Sequence, residues 1–146
     1  MRRKKLNDLD EEILGKLLIK SEWQDKYCLA FLCRANEPIP NVVTELLKFR
    51  LRHPREYQGL ITSIKTQLAQ EDVVRNTKRV RQGTPYENIY EFKSGTVPGI
   101  RLFFFFDADE IIVCTHAWWK AKESRQEQNK EFQKADKMRM QERGEL

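Results

Sequence analysis

The stretch Gly99-Ile-Arg-Leu-Phe-Phe-Phe-Phe-Asp-Ala-Asp-Glu-Ile-Ile-Val-Cys-Thr-His-Ala-Trp-Trp-Lys120 decides how the chain folds. Two runs rich in β-branched and aromatic residues, Ile100 to Phe106 and Ile111 to His116, flank the polar link Asp107-Ala-Asp-Glu110. Such runs read as strands, and a link this short joins antiparallel neighbours. Alternate residues of a strand share a face. Phe103 and Phe105 therefore face one way with Arg101, and Phe104 and Phe106 the other. Rings on both faces predict a central strand covered on both sides.

Upstream, Ile89 to Lys93 predicts a short strand, Ser94 to Gly99 a turn, and Arg75 to Gln82 a basic strand. Over residues 55–71, Tyr57, Leu60, Ile61, Ile64 and Leu68 recur with the period of one helix face. Residues 41–51 predict another helix, with Val42, Val43, Leu46 and Leu47 on one side. Pro54 suits the first turn of the helix that follows, and the short connection makes the two a helical hairpin. Residues 26–33 read as the first strand. Residues 6–20 read as an amphipathic helix carrying Leu6, Leu9, Ile13 and Leu17, with Asp8 and Glu11 placed like a capping box. Ser124-Arg-Gln-Glu127 is a second such box and opens a final helix with a thin apolar stripe, Phe132, Ala135 and Met138. The pairs Glu127–Lys130, Glu131–Lys134 and Asp136–Arg139 would support that helix. The expected class is α+β: a small antiparallel β-sheet with a helical hairpin packed on one face, an N-terminal helix and a C-terminal helix. Residues 1–25 read as a helical extension to a domain spanning 26–146.

Composition narrows the function classes. The 146 residues suit one domain, and 40% hydrophobic content supports a core, which excludes wholesale disorder. No apolar run approaches the roughly 18 residues that a membrane-spanning helix needs. The basic start Met1-Arg-Arg-Lys-Lys5 runs into Asn7 to Glu12, unlike the apolar core of a signal peptide. Cys28, Cys33 and Cys114, with His53 and His116, show no zinc-like spacing, so neither a metal nor a cofactor is expected. The absence of a disulfide framework points to the cytoplasm. Lys plus Arg is 27 against 22 for Asp plus Glu, a net charge of +5 that leans towards anionic partners.

Within residues 73–101 the charge is concentrated: Arg75, Lys78, Arg79, Arg81, Lys93 and Arg101 face only Glu87 and Glu91. Arg75, Thr77, Arg79 and Arg81 alternate onto one face of the basic strand. Such a row either protects a sheet edge or binds phosphate, whose oxygens match the guanidinium fork. Arg101, beside an apolar run, needs a partner or a cleft. It is either an ion pair, with Glu91 the nearest choice, or an anion-stabilising catalytic group. His116 at a strand end is either a structural histidine or a general base. Trp118 and Trp119 either cap the core or stack on a base. His53, before Pro54, is most simply a linker residue.

Taken as a set, Ile89-Tyr-Glu-Phe-Lys93, Gly99-Ile-Arg-Leu-Phe-Phe-Phe-Phe106 and Ile111-Ile-Val-Cys-Thr-His-Ala-Trp-Trp-Lys120 resemble the RelE/ParE toxin superfamily, most of all its HigB-like, phage-derived branch. The resemblance covers residues 89–140. It implies a toxin of a type II toxin-antitoxin system, neutralised by a cognate antitoxin, usually of the helix-turn-helix kind. It further implies metal-independent cleavage of mRNA on the ribosome, or, for ParE-type members, inhibition of DNA gyrase without catalysis. Arg101 matches the arginine on the scissile phosphate, Lys93 a basic catalytic position, His116 the strand-end histidine and Lys120 the first lysine of a basic pair. Arg75, Arg79, Arg81, Lys120 and Trp118 are then the expected RNA contacts. Glu91 stands where RelE itself carries lysine, Ala117 where the pattern has glycine, and Trp118-Trp119 where it has a lighter Phe-x pair. These departures leave open a degenerate member that only binds partners.

Overall fold

The two aromatic strands form the middle of a mixed sheet. The computed structural model describes residues 1–69, 79–107 and 110–145. Strand β5 (Gly99–Asp107) pairs antiparallel with β6 (Ile111–Lys120), Gly99 opposite Lys120 and Asp107 opposite Ile111. On its other side β5 pairs with β4 (Tyr90–Lys93), and β4 with β3 (Val80–Gln82), again antiparallel. The expected meander therefore holds from β3 to β6. Beyond β6 lie β2 (Cys28–Cys33) and β1 (Arg2–Lys5), giving the order β1-β2-β6-β5-β4-β3.

The sheet differs from the antiparallel expectation at one pairing, because β2 runs parallel to β6. Tight links force antiparallel neighbours, but β2 is separated from β6 by two helices and three strands, so no link sets its direction. The N-terminal segment also departs from a single helix over 6–20. Residues 2–5 form strand β1, antiparallel to β2. A short 3₁₀ turn, Leu6–Asp8, follows, and the helix proper, α1, spans only Glu11–Leu17. Asp8 lies in the 3₁₀ turn and Asp10 occupies the N-cap position without a side-chain cap bond, so the expected capping box is not made. Leu6, Leu9, Leu17 and Ile19 nevertheless enter the main core.

The helical hairpin is α2 (Asn41–Arg52) and α3 (Pro54–Leu68). Leu46, Leu60 and Ile64 cluster with Phe31, Phe92, Leu102, Phe104 and Cys114 on one sheet face. Each such side chain, fully buried, stabilises the fold by roughly 1.5–3 kcal/mol relative to exposure. The Tyr57 hydroxyl donates to the Leu17 carbonyl at 2.6 Å and joins the hairpin to the N-terminal segment.

The opposite face is covered by α4 (Arg125–Glu142). Ser124 caps it as the sequence predicts, its hydroxyl accepting from the Glu127 amide at 3.3 Å. Phe132 and Ala135 pack with Ile89, Phe103, Phe105 and Val113, and Phe132 meets the Phe103 ring edge-on at 5.1 Å. A side chain at Gly83 would put its Cβ 2.6 Å from the Phe132 ring, so glycine there lets α4 close on the sheet. Arg3 anchors the far end, donating to both Glu142 carboxylate oxygens at 2.6 and 2.7 Å and to Asp107 at 2.6 Å. Of the three expected ion pairs along the helix, Asp136–Arg139 forms at 3.3 Å. Glu131 turns inward instead.

One irregularity positions the site. Phe103 lies opposite His116, yet Phe104 lies opposite Cys114, so Thr115 is an extra residue in β6. Such a bulge reverses which face the following residues take. His116, Trp118 and Lys120 therefore share the α4 side with Arg101 and Phe103, and Ala117 and Trp119 join the hairpin side.

Candidate functional site

Pairing register brings the basic residues together. Lys93, Arg101 and Trp118 form one cross-strand row, and Arg81, Glu91, Phe103 and His116 the next. Lys120 belongs to the same face and reaches towards them. Glu91 is the hub: it is completely buried, and its Oε1 accepts from Gln128 Nε2 at 2.7 Å and lies 3.9 Å from Arg101 Nε. Gln128 Oε1 in turn accepts from Lys120 Nζ at 2.9 Å, and Lys120 also pairs with Glu123 at 3.1 Å. Arg101 is 3% exposed and donates from one terminal nitrogen to the Ile100 carbonyl at 3.0 Å. The ion pair with Glu91 that the sequence offered as one reading of Arg101 is therefore made.

The pair is not saturated. Arg101 Nε and Glu91 Oε2 are buried without a hydrogen-bond partner among the described residues. Burial pushes the Glu91 carboxyl up, opposed by the Arg101 charge. Burial likewise pushes Arg101 and Lys93 down, opposed by Glu91 and reinforced by the neighbouring cations. Arg81, Lys93, Arg101 and Lys120 therefore crowd around two carboxylates, Glu91 and the largely exposed Glu123. Arg81 and Lys93 are half-buried. Chemically this is an anion-seeking cluster: a phosphate there would relieve repulsion among the cations.

His116 occupies a second centre. It is 2% exposed and stacks on Phe103 at 4.8 Å, nearly parallel. Its Nδ1 lies 3.2 Å from Thr115 Oγ1. Its Nε2 lies 3.3 Å from Glu131 Oε1, a contact that is an ion pair only when the ring is protonated. The His116 contact holds the Glu131 carboxyl below the usual range. Behind the ring, Glu45 of α2 accepts from the Ala117 amide at 3.1 Å, and burial pushes its carboxyl up. Gln128 and Phe132 of α4 stand on the sheet between the two centres, since Gln128 holds Glu91 while Phe132 packs on Phe103.

The structure thus assembles Arg81, Lys93, Arg101 and Lys120, and sets His116 one row away with its Nε2 turned towards Glu131 of α4. Trp118 is half-buried beside Phe103, with ring centroids 6.4 Å apart. Arg79 precedes β3, its carbonyl accepting from the Lys93 amide at 2.8 Å. Arg75 and most of the expected basic strand lie outside the described residues; among those described, β3 begins at Val80. His53 is more than a linker, because it stacks on Trp119 at 3.7 Å. Sequence reasoning missed Glu131, Gln128 and Glu45. Glu131 was readable only as a partner for Lys134, and nothing local marks Gln128 or Glu45. Among the described residues no group of three or more His, Cys, Asp or Glu is placed to hold a metal, and no helix is long and apolar enough to cross a membrane.

Comparison with known families, with curated proteins and with solved structures gives no match. The functional reading therefore rests on the residues themselves.

Proposed function

We propose that the protein is an RNA-directed toxin of the RelE/ParE type, a metal-independent endoribonuclease that grips phosphate through Arg81, Lys93, Arg101 and Lys120. The observation that carries this reading is the excess of cations over carboxylates in one cross-strand cluster, where Arg101 Nε is ion-paired with Glu91 but makes no hydrogen bond among the described residues. In such a reaction a ribose 2′-oxygen bonds to the adjacent phosphorus and the 5′-oxygen leaves. Arg101 and Lys93 stabilise the extra negative charge on phosphorus. His116, on the same face, accepts the 2′-hydroxyl proton, with the Glu131 carboxylate 3.3 Å from its Nε2. The proposed setting is the cytoplasm, with mRNA on the ribosome as substrate and a helix-turn-helix antitoxin as partner.

The test is induced expression of Lys93→Ala and Arg101→Ala beside the wild type, with folding checked by circular dichroism. Loss of one preorganised donor lowers such a rate by about a hundredfold or more, so both variants should stop arresting growth. Full arrest by two folded variants would sink the proposal.

One observation favours a second reading. Arg101 is so thoroughly enclosed with Glu91 that the pair serves the fold as well, which suits a toxin-like protein that only binds partners. Wild-type expression without growth arrest and with intact transcripts would select it.

A further inference from the structure

Strand β6 ends on Lys120, and only Ala121-Lys-Glu-Ser124 separates it from the start of α4. The reversal sets Glu123 back against the strand end. Its Oε2 lies 3.1 Å from Lys120 Nζ, and the carboxylate side chain is 77% exposed against 4% for the lysine. The ammonium is therefore enclosed, while the carboxylate that meets it stands largely in water. Lys120 has a second, buried partner, because its Nζ also donates to Gln128 Oε1 at 2.9 Å. That bond keeps the ammonium in place when Glu123 turns away. Glu123 stands in the field of Arg101 as well. Burial pushes the Arg101 guanidinium down, and the charges of Glu91 and then Glu123 oppose the shift.

The two carboxylates of the cluster thus differ in kind. Glu91 is completely buried between the sheet and α4 and accepts from Gln128 at 2.7 Å, so it is fixed. The Glu123 side chain has one ion-pair partner among the described residues, Lys120. With this carboxylate already hydrated, its release costs little.

We infer that Glu123 is a built-in competitor for the anion of this cluster: in the free protein its carboxylate fills one acceptor position on Lys120, and an entering phosphate displaces it. The inference rests on the reading of Arg81, Lys93, Arg101 and Lys120 as a phosphate grip, and adds the residue that limits the strength of that grip. A phosphate prevails because it is shared with Lys93 and Arg101, charge-assisted contacts that Glu123 does not make. The opposite role for Glu123 is to hold Lys120 in position for the anion, and the two roles predict opposite signs when the carboxylate is removed.

The experiment is titration of the full ¹³C,¹⁵N-labelled chain with inorganic phosphate, followed by NMR, for the wild type, Glu123→Gln and Glu110→Gln. Glu110 is the matched control: it is exposed, pairs with Lys26 at 3.5 Å and precedes the opposite end of β6. Glu123→Gln should bind phosphate at least about threefold more tightly, since the ion pair no longer competes. Glu110→Gln should match the wild type, because the ten residues of β6, about 30 Å of strand, put it well beyond the screening length at physiological salt. In the wild type the Glu123 carboxyl ¹³C signal should move as phosphate is added. Four results would overturn the inference and leave the grip standing: equal affinity in the wild type and Glu123→Gln, weaker binding by Glu123→Gln, the same gain in Glu110→Gln, or a Glu123 signal that stays still while those of Lys93 and Arg101 respond. Silence of Lys93, Arg101 and Lys120 in all three proteins would contradict the grip itself and the inference with it.

Discussion

At the scale of single residues, what matters is where each charge finds its partner. Arg101 beside its phenylalanines was legible as a cation in need of a partner or a cleft, and Glu91 supplies a partner across β4 and β5. The side taken by His116 was not legible. Strict alternation from Ile111 would put it with Ile112 and Cys114 under the hairpin. The extra residue at Thr115 turns it to the other face, and no local signal in Cys114-Thr-His116 announces a bulge. Glu131 shows the consequence. Its carboxyl is held below the usual range of about 4.5 by the His116 contact. A depressed carboxyl binds protons less readily folded than unfolded, so its stabilisation is present above the ordinary range and lost as pH falls through the lower folded value. Melting curves should therefore show wild type above Glu131→Gln at about pH 7, with the gap narrowing towards about pH 3. A gap that stays constant across that range would mean the contact does not set the carboxyl's affinity for protons.

At the scale of elements, long periodic signals were read correctly and weakly specified ones were not. The α3 stripe and the β5 rings bury where their spacing puts them, because burial of a regular apolar face decides both. The N-terminal segment misled because Arg2 to Lys5 has no apolar period, and its strand forms only through pairing with β2. Pairing of that kind is tertiary and leaves no local trace. The last helix is the instructive case. Its apolar stripe is thin, so its place on the sheet depends on Phe132, on the Arg3 clamp and on Gln128. Phe132→Ala should cost about 3–5 kcal/mol in chemical denaturation, with early amide exchange along α4. Ser124→Ala should cost only about 1 kcal/mol, since it removes one cap bond. Comparable losses in the two variants would show that α4 is held by its own helicity rather than by docking.

At the scale of the whole molecule, the net charge of +5 has a distribution. One share lies in the Arg81–Lys93–Arg101–Lys120 cluster, the other along the lysine stripe of α4, and the helix divides them. The first was visible in the sequence as a local excess of Lys and Arg. The second was hidden, since Lys130 and Lys134 each have an acid three residues earlier and read as paired. Glu131 turns to His116 instead of pairing with Lys134. The most direct measurement of the central claim is transcript 5′-end mapping after brief induction, with the wild type beside Lys93→Ala and Arg101→Ala. New mRNA ends with the wild type, absent from both folded variants, are the predicted result. Growth arrest accompanied by gyrase-linked DNA breaks and unchanged transcript ends would contradict it.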